Sequence, residues 1–355
     1  MKRHLVAIVI FASTVALLAQ QPKVSNTQFT VEPIGGTLTA TVDRFRHSAE
    51  QLWLGYEVPA LPQSHLSTCS NWSDSSTMDD GCCGEYRLED TGNYSMNRGD
   101  RAPVAQNIYV LLRLDHDQIM RVRPVMAGCH LDAGGVPFTW ITGVKPEDSV
   151  AFLAQAATQA SDSNRSRIVD GALLSISYHA SPEATHALAE IASSASNAMH
   201  TREQAAFWLG VQRGHEGFVA LQSLEKQITD PSLREKLPFD FSQNSDPAAM
   251  DELLRMAKSD PETKVREQAL FWLAQKAGKK ATAALTDAIQ NDPETDVKKK
   301  AVFALSQLPK DEGVPQLIHV ADTNSNPAVR KEAFFWLGQS QDPRALAYLE
   351  EVLKR

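Results

Sequence analysis

The sequence predicts an α+β chain in two parts, a β-rich, disulfide-linked N-terminal domain over residues 27–144 and an α-solenoid of about six helix pairs over residues 147–355. Three observations carry this reading. A helical segment, VREQALFWLAQK at residues 265–276, recurs as TREQAAFWLGVQ, VKKKAVFALSQL and VRKEAFFWLGQS, with a degraded copy LREKLPFDFSQN. The basic residues of the copies, Arg202, Arg234, Arg266, Lys298 and Arg330, are each 32 residues apart, and a fixed interval without insertions belongs to a stacked array rather than a closed globule. Before residue 144 the hydrophobic pattern instead has a period of two, and all four cysteines lie there.

The chain opens with Lys2, Arg3 and His4, an uncharged apolar run over residues 5–18, and Ala19 at a cleavage point. This is the pattern of an export signal over residues 1–19, too short to span a bilayer comfortably, and no later stretch is apolar enough to try. The expected location is therefore periplasmic or secreted, with no integral membrane segment after signal removal.

Within the β-rich part, residues 28–32, 51–58, 107–114, 119–126 and 136–142 read as strands. IYVLLRL and IMRVRPVM flank the polar turn at 115–118 and form the strongest hairpin signal. Residues 64–101, rich in Ser, Asp, Asn and Gly, read as a long loop held by cross-links. Cys69, Cys82, Cys83 and Cys129 make an even count in an exported chain, which implies two disulfides. Adjacent Cys82 and Cys83 bond to each other only with strain, so each is expected to pair with Cys69 or Cys129, in an order left open. A zinc site drawing on Cys82, Cys83, Cys129 and His130, with Cys69 or His65, is the alternative; it lacks the usual two-residue spacing and suits a reducing compartment better.

In the second part, residues 147–159 form a single helix ahead of six pairs, the first being RSRIVDGALLSISY with PEATHALAEIA. Counting from the basic residue of each copy, offset three is Ala205, Leu237, Ala269, Ala301 and Ala333, offset five is always Phe, and offset seven is Leu or Phe. Such a helix is apolar round most of its circumference, so Phe207, Phe271, Phe303 and Phe335 are expected to be interlayer contacts. The partner helices, at 247–257, 281–290 and 343–353, have one apolar stripe and form an outer layer. Asp246-Pro247 and Asp342-Pro343 place a capping carboxylate before a first-turn proline, and Asp260-Pro261 and Asp292-Pro293 do the same before inner helices. Pro238 is expected to interrupt the inner helix of the third pair.

The pattern D-P-x-x-x-V-R-x-x-A at 260–269, its copy at 292–301 and N-P-A-V-R at 326–330 resemble HEAT repeats, of the short kind also found in phycobilisome lyases. The resemblance covers residues 147–355 and implies a structural ladder in which Asp260, Arg266, Asp292, Lys298 and Arg330 tie adjacent turns together; Ser196, Ile228 and Asn324 depart from it. Tetratricopeptide and ankyrin signatures are missing. The lyases attach bilins to client proteins, so a chromophore-lyase-like activity is one implication; an export signal and a disulfide-type β domain are no part of that pattern.

Charge and motifs narrow the function. The formal net charge is −8, with 10 basic against 14 acidic residues in 20–146 and 23 against 29 in 147–355, a field that repels phosphate backbones and argues against nucleic acid. The run Lys298-Lys299-Lys300 reads as a solvated helix flank. Neither H-E-x-x-H nor G-x-S-x-G is present, and S-x-x-K at 223–226 lacks its partner motifs. His179, His186, His200, His215 and His319 never recur at one offset, so they read as surface or turn histidines. Gly134 and Gly135 read as a turn. No cofactor or catalytic set is assigned. Trp208, Trp272 and Trp336 share offset six in alternate copies. Facing the inner surface they would anchor a partner protein; otherwise they fill gaps between layers, the reading preferred from sequence. The expected function is a scaffold that binds a macromolecule, a protein, through the solenoid. The rival from another class is an exported enzyme with its site near Cys82, Cys83 and His130.

Overall fold

The structure, a computed structural model, describes residues 21–48, 50–62, 85–89, 106–160, 165–276 and 279–354. The signal segment expected at 1–19, His65, Cys69, Cys82 and Cys83 lie outside the described residues. The N-terminal part comprises β1 (Val24–Ser25), β2 (Phe29–Pro33), α1 (Leu38–Ser48), β3 (Gln51–Pro59), β4 (Glu85–Arg87), β5 (Asn107–Asp115), β6 (Gln118–Met126), β7 (His130–Asp132) and β8 (Phe138–Thr142). A five-stranded sheet runs in the order β2-β8-β3-β5-β6, and a three-stranded sheet in the order β1-β7-β4. β3, β5 and β6 are antiparallel, whereas β8 joins β2 and β3 in parallel. His116 and Asp117 both have positive φ, 43° and 64°, the backbone of a two-residue turn whose twist suits the β5–β6 hairpin.

Side chains alternate across the large sheet, so its two faces have different covers. Leu52, Leu54, Tyr56 and Val58 project to the side of α1 and the first solenoid helices. Trp53 and Arg113, opposite each other in register, project to the other side, where both donate to Glu89 Oε1 at 2.6 and 2.8 Å. Gly55 lies on this second face; a Cβ there would come 2.8 Å from Phe138 Cζ and 3.0 Å from Trp140 Cε3. Two features depart from the sequence reading. α1 was not foreseen, although Leu38, Val42 and Phe45 form a buried i, i+4, i+7 stripe and Thr37 Oγ1 accepts from Ala40 N, as a helix start requires. β4 falls inside the stretch 64–101 read as loop; the rest of that stretch, residues 88–89 apart, lies outside the described residues.

The helical part comprises α2 (Pro146–Gln159), α3 (Arg165–Tyr178), α4 (Pro182–Ser193), α5 (Met199–Gln212), α6 (Gly214–Gln227), α7 (Pro231–Gln243), α8 (Ala248–Ser259), α9 (Thr263–Lys276), α10 (Lys279–Asn291), α11 (Thr295–Ser306), α12 (Lys310–Thr323), α13 (Pro327–Gln339) and α14 (Pro343–Lys354). α2 is single and six pairs follow it. Odd helices from α3 pack successively along their lengths, while even helices touch their neighbours less, so the odd row lies on the inside of the bend. The residues at offsets three and seven of α5, α7, α9, α11 and α13 are all buried, at 1% exposure or less, and form a shared interior. Pro238 does not end α7, which runs unbroken from Pro231 to Gln243 with Pro238 buried inside it. Packing on both sides keeps the helix although the carbonyl of Arg234 loses its intrahelical donor.

The sheet and the solenoid are joined directly. α3 lies against β6 so closely that a Cβ on Gly171 would sit 1.9 Å from the Val122 carbonyl oxygen. The end of β3 is stitched to the α3–α4 turn: Leu61 N donates to Tyr178 O at 2.8 Å, and Ala180 N to Pro59 O at 3.0 Å.

Candidate protein-docking surface

The inner helices owe their mutual placement to arginines that reach forward along the array. Arg266 donates through Nε and Nη2 to both oxygens of Asp292, at 2.8 and 3.1 Å, and through Nη1 to the carbonyl of Asp260 at 2.8 Å. Arg234 pairs with Asp260 at 3.0 Å and Arg202 with Asp230 at 3.6 Å. Each arginine thus binds the aspartate that opens the next inner helix, and turns back only to a carbonyl: Arg202 to Ala192, Arg234 to Glu225 and Arg266 to Asp260. Asp260 and Asp292 at the same time accept from Glu262 N and Glu294 N, both at 2.9 Å, so one carboxylate caps a loop and ties two repeats. Asp230 fills this role from a place two residues beyond Ile228, and caps α7 through Ser232 N at 3.0 Å. Lys298 and Arg330 act differently: Lys298 donates to the Gln290 carbonyl at 3.0 Å and Arg330 to the Asn324 carbonyl at 2.7 Å.

Framed by these ties, the free side of the odd row carries a continuous file of eight aromatic rings. Trp208 meets Phe207 edge-on at 4.8 Å, and Phe207 stacks on Phe239 at 5.8 Å and 12°. Phe239 meets Trp272 at 4.6 Å, and Trp272 meets Phe271 at 5.0 Å. Phe271 stacks on Phe303 at 6.0 Å and 1°, Phe303 meets Trp336 at 4.9 Å, and Trp336 meets Phe335 at 5.0 Å. All eight are half-buried except Phe335, which is 54% exposed. With interaxial spacings of about 10 Å, four steps make a file of roughly 40 Å.

This corrects the sequence reading of offset five. Phe207, Phe271, Phe303 and Phe335 are not interlayer contacts; they line the free face beside Trp208, Trp272 and Trp336, which are partly buried and pack against the core as the gap-filling reading expects. The signal was present: offsets one, two, five, six and nine lie together on a 3.6-residue helix, and offsets one and two are Glu, Gln or Lys in every copy. A face with two polar positions in each turn is a surface. The buried positions are offsets three and seven, with a further small or branched residue just before the basic one.

Charge is unevenly placed on this face. Lys300 Nζ lies 4.9 Å from the Phe303 centroid and 5.4 Å from that of Phe271, so the stacked rings take up a cation. Trp336 Nε1 donates to Glu332 Oε1 at 2.8 Å. Trp208 Nε1, Asp240 Oδ2 and Glu267 Oε1, all on inner helices, are buried without a hydrogen-bond partner among the described residues. Asp240 takes offset six on α7, where α5, α9 and α13 have tryptophan, and is 2% exposed. Its burial, reinforced by the nearby Glu203 carboxylate, pushes its carboxyl well above the usual range.

The other candidate residues fall elsewhere. Cys129 is buried at 2% exposure beside an exposed His130, so the two point apart, and no metal-type cluster of His, Cys, Asp or Glu exists among the described residues. Gly134 and Gly135 form a turn with φ of 63° and 87°. Ser223 is exposed on α6 and accepts from Gln227 Nε2 at 2.9 Å. His186, His200 and His215 face Glu190, Asp170 and Asp246 at the surface. His179 is not a surface histidine. It is fully buried, with Nε2 2.9 Å from Ser149 Oγ and Nδ1 2.7 Å from the Ser175 carbonyl, and Ser149 Oγ lies 2.8 Å from the Tyr56 hydroxyl. Burial lowers its pKa to about 4, with the neighbouring Arg213 acting in the same direction. With Tyr56, Ser149 and His179 all sealed from solvent, this serine–histidine pair meets no substrate and joins the sheet to the solenoid instead.

Residues 282–355 match the model of HEAT repeats. Over these residues the array is built of HEAT repeats. A structure of human deoxyhypusine hydroxylase in complex with glycerol is similar at a TM-score of 0.30 and 19% identity, over 58% of this chain and 90% of that one. A crystal structure of Kap121p is similar at a TM-score of 0.35 and 12% identity, over 55% of this chain and 25% of that one. No curated protein matches the chain. Among the described residues no helix is long and apolar enough to cross a membrane.

Proposed function

We propose that this HEAT solenoid is an exported scaffold that docks a partner protein along its inner face, with the sheet at its first end adding a second contact. The observation that carries the reading is the file of eight partly exposed rings held in register by buried arginine–aspartate ties. Aromatic side chains anchor protein partners by offering large apolar area at little cost in side-chain entropy. An even series of them suits a long contact better than a small-molecule pocket. Export to a periplasmic or secreted location rests on residues 1–19 and on the cysteines of the β-rich part, residues 27–144. There we expect Cys129 to be bridged to Cys82 or Cys83, a reading supported by the absence of a free thiol among the described residues.

The test is site-specific photocrosslinking in the native envelope fraction. A benzoylphenylalanine at Phe335 or Gln268 on the inner face should give discrete protein adducts, while one at Val219 on the outer layer should give none. Adducts only from Val219, or none from the inner face, would reject the assignment.

A further inference from the structure

The two halves of the aromatic file differ in how their rings are accompanied. The Phe271–Phe303 stack is covered by Lys300, which stands at offset two of α11. The Phe207–Phe239 stack has nearly the same geometry, 5.8 Å and 12° against 6.0 Å and 1°. Its offset-two lysine, Lys236, is exposed and among the described residues lies over neither ring. Beside this second stack stand two carboxylates. Glu203 on α5 lies close enough to Asp240 on α7 to act on it electrostatically, and Lys236 opposes that influence from a distance without forming an ion pair with either. Among the described residues Asp240 Oδ2 has no donor, and Trp208 Nε1 next to the same rings has no acceptor.

A carboxylate kept from water without a donor is costly, and natural structures seldom tolerate it without reason. Here three features converge: a stacked ring pair open to the surface, an orphaned acceptor, and a second carboxylate close enough to act on it. The ring faces and both carboxylates favour positive charge. We infer that the α5–α9 end of the face binds a basic segment of the partner, with a lysine or arginine side chain lying over Phe207 and Phe239 and donating to Asp240 and Glu203. At the other end Lys300 already covers the rings, and offset one is Lys299 and Lys331 on α11 and α13 where α5, α7 and α9 have Glu203, Glu235 and Glu267, so the face is polarised and gives the segment a direction.

This inference rests on the docking reading and is separable from it. Full-length protein is titrated with a dodecapeptide of alternating arginine and serine, and with one of alternating glutamate and serine, at 0.15 M salt, following tryptophan fluorescence and heat. The arginine peptide should bind and the glutamate peptide should not. Asp240→Asn and Glu203→Gln should each weaken binding about tenfold, whereas Lys300→Ala should change it less than twofold. Glu203 is at the surface, so E203Q keeps the test decisive if D240N folds poorly. Equal binding of both peptides, or unchanged binding by E203Q and D240N, overturns the inference. So does a concentration-dependent dimer of the protein alone that E203Q abolishes, since the occupant would then be a second copy. Inner-face crosslinks to a partner whose crosslinked segment is acidic would overturn the cation site and leave the docking face standing.

Discussion

Replacing Gly171 by alanine should loosen the junction between sheet and solenoid. In an ordinary helix interior this change stabilises by about 1 kcal/mol, because glycine carries the larger loss of backbone freedom. At Gly171 the new Cβ would lie 1.9 Å from the Val122 carbonyl oxygen and 2.7 Å from its carbon. Ordinary carbon–oxygen contact requires more than about 3 Å, so α3 and β6 must part by roughly 1 Å, and neither is a flexible side chain. Overpacking of this kind costs up to about 3 kcal/mol, leaving a net loss of about 2 kcal/mol after the helix gain. Gly338→Ala is the internal control, because a Cβ there meets nothing within 4 Å and α13 keeps its fit, so a gain of up to about 1 kcal/mol is expected. Urea unfolding gives both free energies, and hydrogen exchange at α3 and β6 amides shows where protection falls. A Gly171→Ala protein as stable as the parent, with α3 and β6 still protected, would refute a direct backbone contact.

Asp292→Ala leaves Arg266, buried at 7% exposure, without its bidentate partner, and should cost about 3–5 kcal/mol in denaturant unfolding, as breaking a buried pair does. His179, with a folded pKa lowered to about 4 from 6.5, holds fewer protons folded than unfolded between those values. Stability should therefore be full above about pH 6.5, decline as pH falls through that window by about 3 kcal/mol, and lose nothing more from this group below it; His179→Gln should flatten that slope. Phe271→Ala, on the half-exposed face, should cost about 1–2 kcal/mol, while Leu273→Ala, fully buried two residues on, should cost about 2–5 kcal/mol. Equal losses at the two positions would mean that the free face has been placed on the wrong side of α9.

The solenoid was legible because its determinants are local and repeated. The 32-residue interval, the aspartate–proline helix starts and the two-period hairpin segments each need only a short window of sequence. What stayed hidden depends on distant pairing. Phe29 meets Phe138 in register across more than a hundred residues, and nothing in either strand names the other. His179 reads as a turn residue until Ser149 and Tyr56 close over it from two other elements. Asp230 escaped because its two-residue displacement broke the spacing while the pairing geometry survived. The aromatic face was misjudged for a different reason: six consecutive apolar or small residues in FWLA-type segments suggest a helix buried all round, and the polar residues at offsets one and two were the decisive sign.

Because α3 is both a covering helix of the sheet and the first rung of the inner row, the array has an anchored origin. In a free-standing stack of repeats, ordering can begin at any rung and spread either way. Here a hairpin made earlier in synthesis supplies a ready surface for α3, so the rungs should assemble in one direction from it, and tension applied at the far end should peel them in the reverse sequence.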